Sequence, residues 1–274
     1  MNNETLIRLA LEEDIGSGDV TTDALIEPNR KAGAIILAKE PLVLAGLDVA
    51  REVFTTLDGE MGFDTTFHDG DSVQPGDEIL MARGQLRALL LGERTALNFL
   101  QRLSGIATLT RKYVDRVVGS KVRLTDTRKT TPGWRRLEKY AVKVGGASSH
   151  RFGLDDGILI KDNHIVACGG IREAVARAQS SGHHLLRIEV EAADLGQVNE
   201  ALESGADVIM LDNMSLKDIQ KSVNLINGRA LVEVSGGVTL DGLSELADSG
   251  VDIISVGALT HSARAVDISM RVTI

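Results

Sequence analysis

The chain has 274 residues, 43% of them hydrophobic, and a formal net charge of −9, which is length and apolar material enough for two domains or one large α/β barrel. Its acidity argues against nucleic acid or an anionic membrane as the main partner, because both repel an acidic surface. The N-terminus MNNETLIRLALEED has no basic region followed by an apolar run, no segment approaches the roughly 18 uninterrupted apolar residues of a membrane span, and the lone Cys168 suits a reducing compartment, so a cytoplasmic protein is expected.

Leu6, Ile7, Leu9, Ala10 and Leu11 predict an opening helix over Glu4 to Glu13, with Asn3 as its N-cap. A loop, DIGSGDVTTD, follows. AGAIILAKEPLVLAG then reads as strand material broken at Pro41, Leu47 to Leu57 as helix, and Met61 to Met81 as short strands separated by turns. Arg87 to Val118 reads as a long helical stretch interrupted at Gly105. Within it Leu90, Arg94, Leu97 and Gln101 recur at helical spacing, which sets a cation on or beside an apolar stripe.

Beyond Lys121 the pattern changes to strand–helix alternation. Six runs read as buried parallel strands: 122–126, 158–160, 185–191, 207–211, 230–234 and 252–256. The later intervening helices are expected to stop at Gly182, Gly205, Gly228 and Gly250. An α/β barrel closes such a sheet most economically. Polar residues recur after each strand: Asp126 and Arg128-Lys129; Lys161-Asp162-Asn163; Glu189 and Glu191; Asp212-Asn213; Ser235-Gly236-Gly237; Gly257. In parallel barrels that end of the strands carries the chemistry.

Charge gives the same address. From Lys121 to Lys161 ten Lys and Arg face four carboxylates, a net +6 that leaves −15 for the remainder, and such an island collects small polyanions. SGGV at 235–238 and VGALTHSA at 256–263, each expected before a helix, suit a phosphate through close backbone approach and helix N-terminal N–H groups. Glu189 and Asp212, at the ends of adjacent predicted strands, are placed across from each other, able to hold Mg²⁺ through water or grip ribose hydroxyls. No Cys or His spacing matches a zinc set, and neither GxxxxGK[ST] nor a strand-linked GxGxxG is present.

The motifs DTRKTTPG, EKYAV, HRFGLDDGILIKDNH, IEVE, LDNM, EVSGGV and VGALTHS, in this order, resemble the quinolinate phosphoribosyltransferase family along nearly the whole chain. The resemblance implies an N-terminal α/β sandwich (residues 1–110) and an incomplete, mostly six-stranded parallel α/β barrel (111–274), with the last few residues free to return to the first domain. It implies transfer of the phosphoribosyl group of PRPP to quinolinate with loss of CO₂, as in NAD biosynthesis, with Mg²⁺ as cofactor. By resemblance Arg128, Lys129, His150, Arg151 and Lys161 surround quinolinate, and Arg94 reaches it from a neighbouring subunit of a dimer, or of a hexamer built of dimers. Lys139 is implied at a phosphate of PRPP, Glu189 and Asp212 at its ribose and metal, and Ser235, Gly236 and Gly257 at its 5′-phosphate; Lys129, Lys161, Glu189 and Asp212 are the implied catalytic residues. The sequence departs from the family at Trp134-Arg135-Arg136 and Ala147-Ser148-Ser149, both expected in loops bordering the site. Those departures favour, as an alternative, the branch associated with molybdate transport. Two other classes are a barrel aldolase with Lys161 as Schiff base and a non-catalytic anion binder.

Overall fold

The computed structural model describes residues 2–273. In chain order the elements are α1 (Asn3–Ile15), α2 (Val20–Leu25), β1 (Lys31–Ala38), β2 (Leu42–Val43), α3 (Leu47–Leu57), β3 (Gly62–Asp64), β4 (Ser72–Val73), β5 (Glu78–Gln85), α4 (Leu86–Arg116), β6 (Arg123–Thr125) and α5 (Arg135–Val144). They continue with β7 (Ile158–Ile160), α6 (Asp162–Cys168), α7 (Ile171–Ser181), β8 (Ile188–Ala192), α8 (Leu195–Glu203), β9 (Val208–Asp212), α9 (Leu216–Ile226), β10 (Leu231–Ser235), α10 (Leu243–Asp248), β11 (Ile253–Ser255), α11 (Ala258–His261) and β12 (Ile268–Thr273).

Capping chemistry explains where several helices begin. Asn2, not Asn3, caps α1 by accepting from Thr5 N. Asp19 accepts from the N–H groups of Thr21 and Thr22, so the expected loop DIGSGDVTTD turns into α2 at Val20. At the C-terminal ends, Gly205, Gly228 and Gly250 take left-handed φ of 81°, 74° and 90°, each just past a helix. Gly182 caps α7 in an extended conformation instead.

The chain divides into two compact units. The first comprises the residues up to Arg111, Thr130–Gly146 and the residues from Leu259 onward; the second comprises Lys112–Lys129 and Ala147–Ala258. The first division falls inside α4, whereas 130–146 and the residues from Leu259 onward, expected largely in the second domain, belong to the first unit. The outermost residues of the two expected domains, Met1 and Ile274, lie outside the described residues.

In the first unit an antiparallel sheet runs β12-β1-β5-β3, with β2 and β4 paired separately. β12 returns to β1 from the far end of the chain, Gly33 facing Thr273 and Ala38 facing Ile268. Phe54, Ile36, Leu80, Leu89 and Phe99 are fully buried in this unit. α4 runs without interruption through Gly105, whose bare Cα face admits the backbone of Arg264 and Ala265. Glu138 of α5 is fully buried, and its carboxylate receives Arg102 at 2.9 Å, Thr131 N at 3.0 Å and Thr131 Oγ1 at 2.9 Å. Trp134 stacks on Phe99 with ring centroids 4.6 Å apart, so this departure from the family pattern is core packing rather than a site border.

The second unit is a six-stranded parallel sheet, ordered β6-β11-β10-β9-β8-β7. Its outer strands β6 and β7 do not pair, so it is an incomplete barrel, with the six runs expected from the sequence as its strands. Along β8 the alternation Ile188-Glu189-Val190-Glu191-Ala192 puts both glutamates on one face. Along β10 the same alternation pairs Glu233 with Ser235, opposite to Val232 and Val234.

Candidate active site

Register fixes the depth of each polar side chain in the second unit. Glu189 pairs with Val208 at the start of β9, whereas Asp212 ends β9 and pairs with Ser235. Val208 to Asp212 is four residues, about 13 Å along a strand. The sequence-based expectation that Glu189 faces Asp212 is therefore corrected: Glu189 sits deep, and Glu191, level with Met210, is the glutamate near the strand end. Lys161, which follows β7, forms an ion pair with Glu191. An ion shared between Glu189 and Asp212 does not fit this arrangement.

Glu189 turns instead to His150. The ring Nε2 lies 3.3 Å from Glu189 and 3.4 Å from Glu233, a carboxylate only 2% exposed that the sequence reading did not single out. Asp126, fully buried after β6, accepts from His150 N at 2.9 Å. Ser148 contributes through its backbone, donating to Leu124 O and accepting from Asp126 N, which lays Ala147-Ser148 beside β6. His150 thus enters the barrel clamped from the main chain and from its ring.

Burial pushes the Glu189 carboxyl above its usual range, against the pull of His150. Two influences compete at the imidazole: Arg151 N–H donates to Nδ1 at 2.8 Å, which suits the neutral ring, while two carboxylates at Nε2 suit the cation. Charge outweighs one neutral hydrogen bond. Desolvation alone lowers the imidazole pKa, but Glu189 and Glu233 reverse it and push it up to about 9 from 6.5. A folded-state pKa raised above the unfolded one gives stability that is complete below pH 6.5 and lost as pH rises through about 9. Thermal melts from pH 6 to 10 are therefore expected to fall across that window, and the slope to flatten in His150→Asn; a parallel pH dependence in both proteins would refute the assignment.

The cations of the basic window divide between the units. Arg135, Arg136, Lys139 and Lys143 belong to the first, where Arg135 Nε donates to Thr130 Oγ1 at 2.9 Å and Lys139 is 3% exposed on α5. Arg94 is exposed on α4 of the same unit. Arg128, Lys129, Arg151 and Lys161 belong to the second. Burial, then the Arg128 guanidinium nearby, holds the Arg151 pKa below its ordinary value, while Arg151 Nη1 donates to Gly157 O at 2.9 Å. Two guanidinium groups that repel each other in a partly desolvated site gain most from a ligand carrying paired negative charges. Lys129 is exposed one residue further along the same loop.

The loops after β9 and β10 interlock. Asn213 adopts φ 53° and donates its N–H to Ser235 O at 3.1 Å; Gly236 and Gly237 follow with φ 87° and 61°. No helix starts here, since α10 begins only at Leu243, and α11 after Gly257 is a single turn. After Ser235 the expected helix N-terminus is thus replaced by glycine backbone alone, a turn whose N–H groups can still line an anion. A Cβ on Gly236 would stand 2.3 Å from Asn213 Oδ1. Gly236→Ala is expected to lose about 1–2 kcal/mol of stability from left-handed strain and to weaken phosphate-ester binding, measured by melting and calorimetry; an unchanged affinity would remove this loop from the site.

Glu191 and Glu233 were both legible in principle. IEVE puts two glutamates on one face of a strand, and VEV puts an acid on the face opposite two valines, which in a barrel with its helices outside is the interior.

Comparisons with known proteins agree along the whole length. Residues 19–104 match the family described as quinolinate phosphoribosyl transferase, N-terminal domain, and residues 106–271 its C-terminal domain. A Bacillus subtilis protein named probable nicotinate-nucleotide pyrophosphorylase (carboxylating) is 45% identical, covering 96% of this chain and 90% of the relative. A Mycobacterium leprae protein named nicotinate-nucleotide pyrophosphorylase (carboxylating) is 42% identical, covering 96% and 95%. The crystal structure of NadC from Streptococcus pyogenes superposes with a TM-score of 0.95 at 44% identity, over 98% of this chain and 96% of that one.

Proposed function

Because the chain belongs to the quinolinate phosphoribosyltransferase family, we propose that it joins quinolinate to PRPP, releasing pyrophosphate and CO₂ and yielding nicotinate mononucleotide for NAD synthesis. The observation that carries the acceptor is the nearness of the Arg128 and Arg151 guanidinium groups in one unit, which also holds the Lys161–Glu191 pair at the ends of β7 and β8. Quinolinate is a dicarboxylate, and forked guanidinium groups with a point ammonium suit its two anionic groups. An aldolase needs a neutral, desolvated amine, whereas the Lys161 side chain is 44% exposed and ion-paired.

Quinolinate would bind against Arg128, Lys129, His150, Arg151 and Lys161. The ribose hydroxyls would meet Asp212 and, in place of the deeper Glu189, Glu191, and the 5′-phosphate would rest on Ser235, Gly236 and Gly257. As the bond from C1 to pyrophosphate breaks, the sugar gains oxocarbenium character, and these two carboxylates stabilise the positive charge. Once the ring nitrogen is glycosylated and cationic, its charge stabilises the in-plane electron pair left at C2 when CO₂ departs, and C2 then takes a proton from solvent. Lys161 and Arg128 or Arg151 hold that carboxylate until it leaves. Asp212 would be the residue to hold Mg²⁺ when it binds, and the ion would supply countercharge for pyrophosphate. Lys139 is assigned to a PRPP phosphate and Arg94 to the acceptor of a neighbouring subunit, which makes the working form a dimer or a hexamer of dimers. The acidic composition and single cysteine support a cytoplasmic location. Among the described residues no helix is long and apolar enough to cross a membrane.

The deciding experiment supplies PRPP and Mg²⁺ with quinolinate or with nicotinate and follows pyrophosphate and CO₂. Turnover with quinolinate alone is expected; turnover with nicotinate alone would overturn the acceptor. Mixing Arg94→Ala with Lys161→Ala subunits is expected to restore part of the activity, and failure despite subunit exchange would reject the shared site.

A further inference from the structure

Glu233 lies in the middle of β10, level with Met210 on one side and Ile253 on the other. It is 2% exposed, and its Oε1 meets His150 Nε2 at 3.4 Å, in a cluster where the nearby Glu189 carboxylate repels its charge. Burying a carboxylate with so little compensation opposes folding, and a residue of similar size without charge would pack there at lower cost. The chain of contacts leading away from it is continuous. Glu233 and Glu189 meet the same ring nitrogen of His150, the other ring nitrogen accepts Arg151 N–H, and the Arg151 side chain is tied to Gly157 O beside Arg128.

We propose that Glu233 is a positioning residue for the acceptor acid: with Glu189 it anchors the His150 ring from inside the sheet, and the ring sets the main chain of Arg151 so that its guanidinium stands beside that of Arg128. Glu233 acts through these residues and does not touch quinolinate. The inference rests on the dicarboxylate reading of the Arg128–Arg151 pair. It separates stability from function, because removing Glu233 leaves one imidazole facing one carboxylate, a balanced pair, whereas the intact cluster sets two carboxylates against one ring.

The test compares Glu233→Gln, Glu233→Met and Glu233→Asp in the full-length protein. The Gln and Met variants are expected to raise the quinolinate KM about ten-fold, the loss of roughly one charge-assisted hydrogen bond's worth of positioning. Their kcat and PRPP KM should stay within about two-fold of the wild type, with melting temperatures equal to or above it. Glu233→Asp, which restores the charge on a shorter arm, is expected to recover part of the lost affinity. An unchanged quinolinate KM in Gln and Met would overturn the proposal, as would a lowered melting temperature with both KM values and kcat shifted together. The ligand atoms of His150, Glu189 and Glu233 lie within 4.8 Å of one another, so the wild type is also titrated with Zn²⁺ alone. Micromolar binding lost in Glu233→Gln would replace the positioning role with a metal centre. A wild type that releases no pyrophosphate with quinolinate would remove the acceptor reading and this inference together; every other negative result leaves that reading standing.

Discussion

Lys161→Ala is expected to lower kcat/KM for quinolinate by about 10²–10³-fold at saturating PRPP. Truncating one partner of a partly buried, hydrogen-bonded charge pair costs about 2–5 kcal/mol, much of it from the charge left behind. Here the charge left behind is Glu191, whose side chain is 16% exposed and whose ion pair runs to Lys161. The variant thus removes an attraction for a dianion and uncovers a carboxylate that repels it. Both changes act in the same direction. Lys161 sits at the start of α6, after a three-residue strand, on a side chain nearly half exposed, so folding should be spared. Steady-state kinetics in both substrates checks this: a loss below ten-fold, or one shared equally with the PRPP KM, would take Lys161 out of the acceptor site.

The second large effect concerns stability. Gly105→Ala is expected to destabilise the protein by about 3 kcal/mol, the upper part of the overpacking range, and to lower the melting temperature by roughly ten degrees. Helix propensity alone predicts the opposite sign, since alanine in mid-helix is favoured over glycine by about 1 kcal/mol. Contact decides between them. A Cβ at position 105 would lie 2.0 Å from the carbonyl oxygen of Arg264 and 3.3 Å from Ala265 Cα, atoms of a main chain that cannot swing aside as a side-chain tip can. That segment is fixed further by Val266 N–H to Gln101 O and by the Arg264–Glu40 ion pair. An unchanged or raised melting temperature would show that the segment yields freely.

Gly105 also shows what sequence can and cannot tell. Glycine within a helical pattern signals either a break or a close approach, and which one applies depends on a partner 159 residues away in the chain. The six parallel strands were readable because each is a short apolar run followed by polar residues. α5 was not, because Glu138 and Lys139 lie on its buried side, so charge hides the apolar period of Leu137, Ala141 and Val142. The basic window was recognised as one island, but the fold assigns its middle, 130–146, to a different unit from its ends. Which of two alternating glutamates reaches the strand end was a question of register, set by pairing between β8 and β9 and invisible from either strand alone.

The placement of β12 governs the order in which the polypeptide can mature. Its ladder with β1 joins residues about 240 positions apart, from Gly33 with Thr273 to Ala38 with Ile268, and contacts of such separation form late and slowly. During synthesis β1 therefore leaves the ribosome with one edge unprotected, and that edge stays open until the whole second unit has been made. Nascent chains halted before residue 268 should recruit chaperones through this edge, and release of the final segment should end the association.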